Sequence, residues 1–145
     1  MSLIPVSEAQ QRLLEMAAPA GVENAPLIAC LDRLLCADVH ALRDQPWSDL
    51  SAMDGYAIRH ADLPGPWTVV GTSQAGGAID LAPVGSGEAM RIFTGAAMPP
   101  GADTVLVQED AARDGERLTL AGSGPDRAGK HVRAKGSDFA EGRTV

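Results

Sequence analysis

The sequence is poor in aromatic residues and in cysteine. Aromatic residues make up 3% of its 145 positions, so a hydrophobic core must be built from the aliphatic residues that dominate the 45% apolar fraction. The two cysteines, Cys30 and Cys36, lie six positions apart in a stretch that reads as helix, and this spacing turns them to different faces. We therefore predict two reduced thiols that pack against apolar neighbours, and no disulfide.

Positive charge is also scarce, since 12 Lys and Arg residues face 19 Asp and Glu residues, for a net charge of −7. Proteins that neutralise phosphate backbones usually carry a basic stripe, and the longest basic cluster here, residues 130–135, is short. No apolar run approaches the ~18 residues that a membrane helix requires. Residues 1–5 lack the charged and apolar regions of a signal peptide. We expect no nucleic-acid partner, no membrane association and a cytoplasmic location.

General catalytic motifs are missing as well. The glycine clusters at residues 85–87 and 122–124 lack the strand-then-helix context of a dinucleotide-binding loop, and no P-loop is present. The three histidines have no zinc-like spacing, and no nucleophile elbow occurs. The chemistry of this protein therefore cannot be inferred from motifs of general catalysis.

The first forty residues have the pattern of helices. Ser7 and Gln10 have the spacing of a capping box, and an apolar stripe follows until Pro19. A second apolar run at residues 27–35 also has helical spacing. We therefore predict two helices within a helical segment over residues 1–45.

From residue 39 onward, short apolar runs alternate with Gly and Pro. The runs that have strand length and β-branched or aromatic content are residues 56–58, 67–70, 90–93 and 104–107. Asp114-Gly115, between the apolar-containing runs 104–112 and 116–120, predicts a two-residue type I′ hairpin. The predicted fold is mainly β with N-terminal helices, α+β overall, with an irregular β domain of short strands and hairpins over residues 46–145.

One stretch, residues 51–57 with the sequence Ser-Ala-Met-Asp-Gly-Tyr-Ala, combines a small polar residue, an acid, a glycine and the single tyrosine. Taken alone, Asp54-Gly55 indicates a turn and Tyr56 a core residue. The stretch occurs together with four other segments, at residues 34–39, 91–99, 101–110 and 132–138. In combination these segments resemble the molybdopterin molybdenumtransferase family, which comprises the bacterial MoeA proteins and the related C-terminal domain of gephyrin.

The chain departs from the family pattern at a few positions. Phe93 stands in the usual place of Met, Leu50 in that of Asn, Ser137 in that of Glu and His131 in that of Asn. Asp49, before Leu50, agrees with the pattern. The resemblance also implies a much longer protein, in which a pterin-binding α/β domain and a C-terminal β domain lie beyond residue 145.

The resemblance implies a reaction in which adenylylated molybdopterin is hydrolysed and molybdate is ligated to the dithiolene with the help of Mg²⁺. Molybdopterin and molybdate would be substrates, and the molybdopterin adenylyltransferase protein would be a partner. The resemblance further implies a homodimer in which the β domain reaches a second subunit. Residues 1–45 would belong to an elongated domain completed by later parts of the chain.

This chemistry needs hard oxygen ligands for a cation and polar groups that orient an anion. The residues to which we assign catalytic roles by this resemblance are Asp54, Thr94 and Asp138, and those for substrate and anion binding are Ser51, Met53, Gly95 and Arg133. The two aspartates are also the candidate metal ligands. Four of them also have a plainer interpretation: Asp54 and Asp138 as turn acids, Thr94 as a strand-end hydroxyl and Arg133 as part of a surface ion pair. Glu109 and Asp110 are predicted to be solvated hairpin acids.

Three functional interpretations remain open. The chain is part of a molybdenum-inserting enzyme and is inactive by itself, or it is a non-catalytic scaffold module like that of gephyrin, or it is a β domain unrelated to molybdenum. The matched Asp54, Thr94 and Asp138 favour the enzyme, because a scaffold has no need of them.

Overall fold

The computed structural model describes residues 3–18, 21–77 and 80–145. The chain divides into two compact units, Met1–Asp38 and Val39–Val145, whose residues lie close mainly to residues of the same unit. The division lies a few residues before the boundary predicted at residue 45. Among the residues described, no helix has both the length and the apolarity needed to cross a bilayer.

The described residues of the first unit contain one α-helix, α1, Val6–Met16. The predicted capping box is wrong, because the helix already begins at Val6 and no side chain caps it. Ser7 and Gln10 therefore lie inside the helix, whose first backbone hydrogen bond runs from the Ala9 N–H to the Pro5 carbonyl. The predicted apolar stripe is present, but no residue of α1 is buried.

The predicted second helix is wrong. Only Leu27–Ala29 forms a single 3₁₀ turn, and Asp32 then adopts a left-handed backbone conformation with φ of 63°. A left-handed residue interrupts the right-handed helical repeat, and aspartate is among the residues that tolerate this conformation. Both cysteines are free thiols, as predicted, but Cys36 is exposed and does not pack in a core.

The second unit is built around a six-stranded sheet with the order β5-β2-β4-β3-β7-β6. Its strands are β2 (Gly55–Ile58), β3 (Trp67–Ser73), β4 (Glu88–Ile92), β5 (Thr104–Val107), β6 (Ala111–Asp114) and β7 (Arg117–Leu120). Neighbouring strands are antiparallel except for β3 and β4, which are parallel. Two further strands, β1 (Leu50–Ser51) and β8 (Val132–Arg133), form a separate antiparallel pair. The predicted class, mainly β with a helical N-terminus, is confirmed, with one α-helix among the residues that the structure describes where two helices were predicted.

The sheet has a hydrophobic cluster on each face, because side chains alternate along each strand. The largest members of the first cluster are Tyr56, Ile58, Trp67, Leu106 and Leu118. The second cluster consists of Ala57, Val84, Met90, Ile92, Ala96 and Val105. Strand β2 contributes to both clusters, and all four of its residues are buried. The end of β2 that follows Asp54 is therefore fixed by packing on both faces.

The predicted hairpin is present, but its turn lies one residue further along. Asp114 pairs with Arg117, so Gly115 and Glu116 form the two-residue loop. Of these two residues only Gly115 has a positive φ, 60°, as in a type II′ turn and not the predicted type I′. The run predicted over residues 104–112 is also interrupted by the 3₁₀ turn Gln108–Asp110.

Candidate functional site

The loop between β1 and β2 is held in shape by Ser51. The Ser51 Oγ donates a hydrogen bond to the Met53 carbonyl at 2.6 Å and accepts one from the Met53 N–H at 3.3 Å. Ser51 itself is buried, and its N–H donates to the Ala96 carbonyl. Asp54, which follows Met53, is fixed through its backbone carbonyl, which accepts the Gln108 N–H at 3.1 Å. Ser51 thus supports the Asp54 loop through its hydrogen bonds with the Met53 backbone.

The Asp54 carboxylate meets Thr94, which is forty positions later in the sequence. The Thr94 N–H and hydroxyl both donate to Asp54 Oδ1, each at 2.7 Å. These two bonds, the backbone one first, lower the pKa of Asp54 below its ordinary value of 3.8, and the charge of Arg91 acts in the same direction. Asp54 is therefore ionised at neutral pH.

The two Asp54 oxygens differ in their contacts. Among the described residues no hydrogen bond reaches Oδ2, whereas Oδ1 accepts both bonds from Thr94. The Thr94 hydroxyl donates its hydrogen to Asp54, so its oxygen can act only as an acceptor or a ligand through its lone pairs. Asp54 Oδ2 and Thr94 Oγ1 together offer hard oxygen ligands of the kind that Mg²⁺ prefers. In this arrangement Thr94 has no donor left for an anion.

Gly95 forms the turn beside this pair. Its φ of 81° lies in the left-handed region, and its N–H donates to the Ser51 carbonyl at 2.8 Å. A Cβ at this position would lie 3.7 Å from the Ala75 Cβ, which is ordinary contact. The Gly95 amide is thus used within the loop, while the missing side chain keeps the exposed face of the turn open.

Arg133 and Asp138 form a second group, reached through β8. Leu50 pairs with Arg133, and the Ala52 N–H donates to the His131 carbonyl at 2.9 Å. This pairing carries β8 alongside the start of the Asp54 loop. The Arg133 guanidinium forms an ion pair with the Asp138 carboxylate, and both side chains are partly exposed.

The seven predicted site residues therefore fall into two groups. One consists of Ser51, Met53, Asp54, Thr94 and Gly95, and the other of Arg133 and Asp138. Within residues 3–18, 21–77 and 80–145, no side-chain hydrogen bond or ion pair joins the first group to the second, and no three His, Cys, Asp or Glu residues lie close enough to share a metal ion. The assignment of the two aspartates as joint metal ligands stays a prediction.

One of the departures from the family pattern, at His131, has a structural explanation. His131 has a φ of 61°, a left-handed conformation in which Asn and His are both enriched, so either residue suits this position. Leu50 contributes its backbone to the pairing of β1 with β8. Nothing in the structure explains Ser137.

The prediction that Asp110 is simply a solvated acid is wrong. Its carboxylate accepts the Gly124 N–H at 3.0 Å and its carbonyl accepts the Ala121 N–H at 2.8 Å. Glu109 is exposed, as predicted. Asp110 therefore fixes the chain after β7 and belongs to the scaffold of the β unit.

Sequence reasoning missed the role of Arg91. Its guanidinium lies over the Tyr56 ring at 5.2 Å and over the Phe93 ring at 4.6 Å, measured to the ring centroids. It also donates to the Gly55 carbonyl and to Gln108 Oε1. The available signal was an arginine between two apolar residues of a predicted strand.

The comparisons with known proteins agree with one another. A family model described as the MoeA N-terminal region (domain I and II) matches residues 4–145. A molybdopterin molybdenumtransferase of Synechococcus elongatus is 37% identical over 131 residues, which is 86% of this chain and 32% of that protein. One from Staphylococcus aureus is 32% identical, covering 98% of this chain and 35% of its own length.

Solved structures give the same result. Crystal structures of the molybdopterin biosynthesis MoeA protein of Pyrococcus horikoshii match 99% of this chain at 30% identity, with TM-scores of 0.75 and 0.78. The match covers 38% and 39% of the chains of those structures. This chain thus spans a little over a third of those chains and about a third of the related sequences.

Proposed function

Because this chain belongs to the MoeA family, whose N-terminal region it matches over residues 4–145, we propose that its β unit supplies one wall of a site that inserts molybdate into molybdopterin. The observation that carries the proposal is the ionised Asp54 carboxylate, oriented by two hydrogen bonds from Thr94 and open at Oδ2. An aspartate that only forms a turn does not need to be oriented by Thr94, a residue forty positions away in the sequence. The relatives are named molybdopterin molybdenumtransferases, and the reaction in this proposal is taken from that name.

Asp54 fits the role of a magnesium ligand in this proposal. Mg²⁺ is usually held by one or two carboxylates and completes its shell with water and substrate phosphate, so a single carboxylate is enough on the protein side. When bound, the ion would neutralise phosphate or molybdate charge as these anions react. Thr94 acts as a positioning residue, because its two donors hold Asp54 Oδ1 and leave Oδ2 directed to the ion.

Arg133 and Asp138 are proposed to form a substrate-responsive pair. Arginine can hold a carboxylate or a phosphate through its planar fork of N–H donors, so an anionic substrate oxygen would compete with Asp138 for the Arg133 guanidinium. Asp138 is neutralised by this pairing and is the weaker candidate for a metal ligand. Met53 and Gly95 form the exposed surface of the loop next to Asp54.

The remaining walls of the site belong to the longer protein in this proposal. The relatives extend well beyond the matched region, and a pterin needs a concave pocket with several convergent polar groups. We propose that a complete protein of this kind forms a cytoplasmic homodimer and receives adenylylated molybdopterin from the molybdopterin adenylyltransferase protein. The family resemblance is the support for these partners.

The proposal is tested by Asp54→Asn in a complete protein that contains this chain. Asparagine keeps the acceptor for Thr94 but removes the charge that a cation needs, so molybdate insertion should fall at least about tenfold. The melting temperature should stay within a few degrees of the wild-type value.

The matched control is Asp114→Asn, which removes an exposed hairpin carboxylate that accepts no side-chain or backbone hydrogen bond among the described residues. This variant should insert molybdate at the wild-type rate. Wild-type activity in Asp54→Asn would return Asp54 to the role of a turn residue and refute the proposal.

A further inference from the structure

Arg91 lies at the centre of a small cluster formed by the ends of three strands. In the pairing of β2 with β4 it stands opposite Tyr56, and its guanidinium carbon lies 5.2 Å from the centroid of the Tyr56 ring and 4.6 Å from that of the Phe93 ring. Nη1 donates to the Gly55 carbonyl at 2.9 Å and Nη2 donates to Gln108 Oε1 at 2.9 Å. Both terminal nitrogens and the face of the guanidinium plane are thereby engaged at once.

Three of the four residues that the Arg91 guanidinium contacts are directly connected to the Asp54–Thr94 pair. Gly55 directly follows Asp54, and Gln108 donates its N–H to the Asp54 carbonyl. Phe93 directly precedes Thr94, the residue that holds the carboxylate. One side chain thus connects the backbone on both sides of the hydrogen bonds that orient Asp54.

We propose that Arg91 is a positioning residue, which holds the Asp54 loop and the Thr94 turn in register through Gly55, Gln108 and the Phe93 ring. The inference rests on the role proposed above for Asp54. The guanidinium donates two hydrogen bonds in fixed directions and contacts an aromatic ring. Each of these interactions stabilises the relative position of the loop and the turn. Phe93 contributes through its aromatic face, which an aliphatic side chain at the same position does not provide.

A purely structural role is the alternative, in which Arg91 only fills space between strands. The two roles make different predictions for Arg91→Lys. Lysine keeps the charge and the aliphatic stem, but its single ammonium cannot reproduce two fixed hydrogen bonds and a planar stack. If Arg91 only fills space, the substitution has no effect or destabilises the whole sheet. If Arg91 is a positioning residue, the substitution weakens the Asp54–Thr94 hydrogen bonds in particular.

Amide hydrogen exchange on this chain, read by nuclear magnetic resonance, separates the two roles. In Arg91→Lys the Thr94 amide, which is bonded to Asp54 Oδ1, should exchange at least about tenfold faster, as expected when a charge-assisted hydrogen bond is weakened. The Val69 amide, bonded to the Glu116 carbonyl in another part of the sheet, should exchange as in the wild type. Phe93→Leu should produce a smaller increase at Thr94 alone.

The matched control is Arg113→Lys, which changes an exposed strand arginine whose Nε donates to the Gly115 carbonyl, away from the Asp54 loop. It should leave the Thr94 exchange rate unchanged. Unaltered Thr94 exchange in Arg91→Lys, or an equal increase at Thr94 and Val69, would overturn the positioning role. Activity of the complete protein with Asp54→Asn tests the proposed function separately, because that outcome does not depend on exchange at Thr94.

Discussion

Neighbouring residues of the 51–57 stretch have different physical tasks. Ser51 closes the loop through the Met53 backbone, and Asp54 receives the two Thr94 hydrogen bonds. Gly55 is buried at the start of β2, where a Cβ would lie 2.1 Å from the Leu106 carbonyl oxygen. Only the Asp54 carboxylate keeps an oxygen free of hydrogen bonds within the described loop. The Asp54 carboxylate is therefore surrounded by residues whose roles are structural.

The close approach at Gly55 predicts a large effect of Gly55→Ala. The added methyl group forces β2 away from β5, and overpacking of this kind costs about 3 kcal/mol or more. Gly115→Ala is the comparison, because it has open space and only an unfavourable left-handed backbone, at a cost of about 1 kcal/mol. Urea unfolding of both variants measures the difference. A Gly55→Ala variant as stable as Gly115→Ala would contradict the packing described here.

The lowered pKa of Asp54 predicts a pH dependence of stability. A carboxyl group whose pKa is lower in the folded chain stabilises the fold above its unfolded pKa, about 3.9, and this contribution is lost as the pH falls through the folded pKa. Asp54→Asn has no such titration. The gap in unfolding free energy between wild type and variant should therefore stay constant from about pH 6 to about pH 5 and shrink as the pH falls below about 4.

The measurement is a series of urea unfolding curves across that pH range for wild type and Asp54→Asn. Asp114→Asn serves as the control for the loss of one negative charge at an exposed position. A gap that stays constant, or widens towards acid, would show that Thr94 does not stabilise the Asp54 carboxylate.

At the scale of elements, the strands were predictable and the helical N-terminus only in part. The runs at residues 56–58 and 104–107 became β2 and β5 because their apolar and β-branched residues suit a buried strand. Residues 27–35 have a helical spacing of leucines, but short helices depend on packing, and Asp32 interrupts the repeat. The spacing of apolar residues alone does not show whether a short helix has the packing partners that it needs.

Strand order and the site contact were beyond local sequence reasoning. The parallel pairing of β3 with β4 joins segments separated by a long connection, so no turn signal marks it. The Asp54–Thr94 contact likewise spans forty residues, and family resemblance indicated only that both residues matter. The Arg133–Asp138 pair was anticipated in part, since a surface ion pair was the plainer interpretation of Arg133.

The segment after β8 is tied to the chain before β1 by Asp49. Its Oδ1 accepts the Lys135 N–H at 2.7 Å. Asp49→Ala should destabilise this connection by about 1–2 kcal/mol and speed exchange of the Lys135 amide, because a hydrogen bond to a charged group is lost. Asp49→Asn keeps an acceptor and should restore most of the protection. Equal exchange in all three proteins would show that Asp49 does not hold the segment.

At the scale of the whole molecule, we propose that the β unit supplies one polar wall of a larger site, in a chain whose net charge is negative. The formal charge of −7 opposes the capture of molybdate and of a pterin phosphate unless a cation or further basic residues lie nearby. The family relatives are about three times as long as the matched region, as their coverage of 32% and 35% indicates. We propose that their remaining length supplies the pocket that binds the pterin.

The most direct test compares this chain with a complete protein that contains it, in molybdate insertion and in molybdopterin binding by calorimetry. The account predicts that the complete protein binds molybdopterin and inserts molybdate, and that its Asp54→Asn variant loses molybdate insertion. The 145-residue chain alone should show neither tight molybdopterin binding nor molybdate insertion. Tight molybdopterin binding or turnover by the 145-residue chain alone would contradict the assignment of Asp54 and Thr94 to one wall of a larger site.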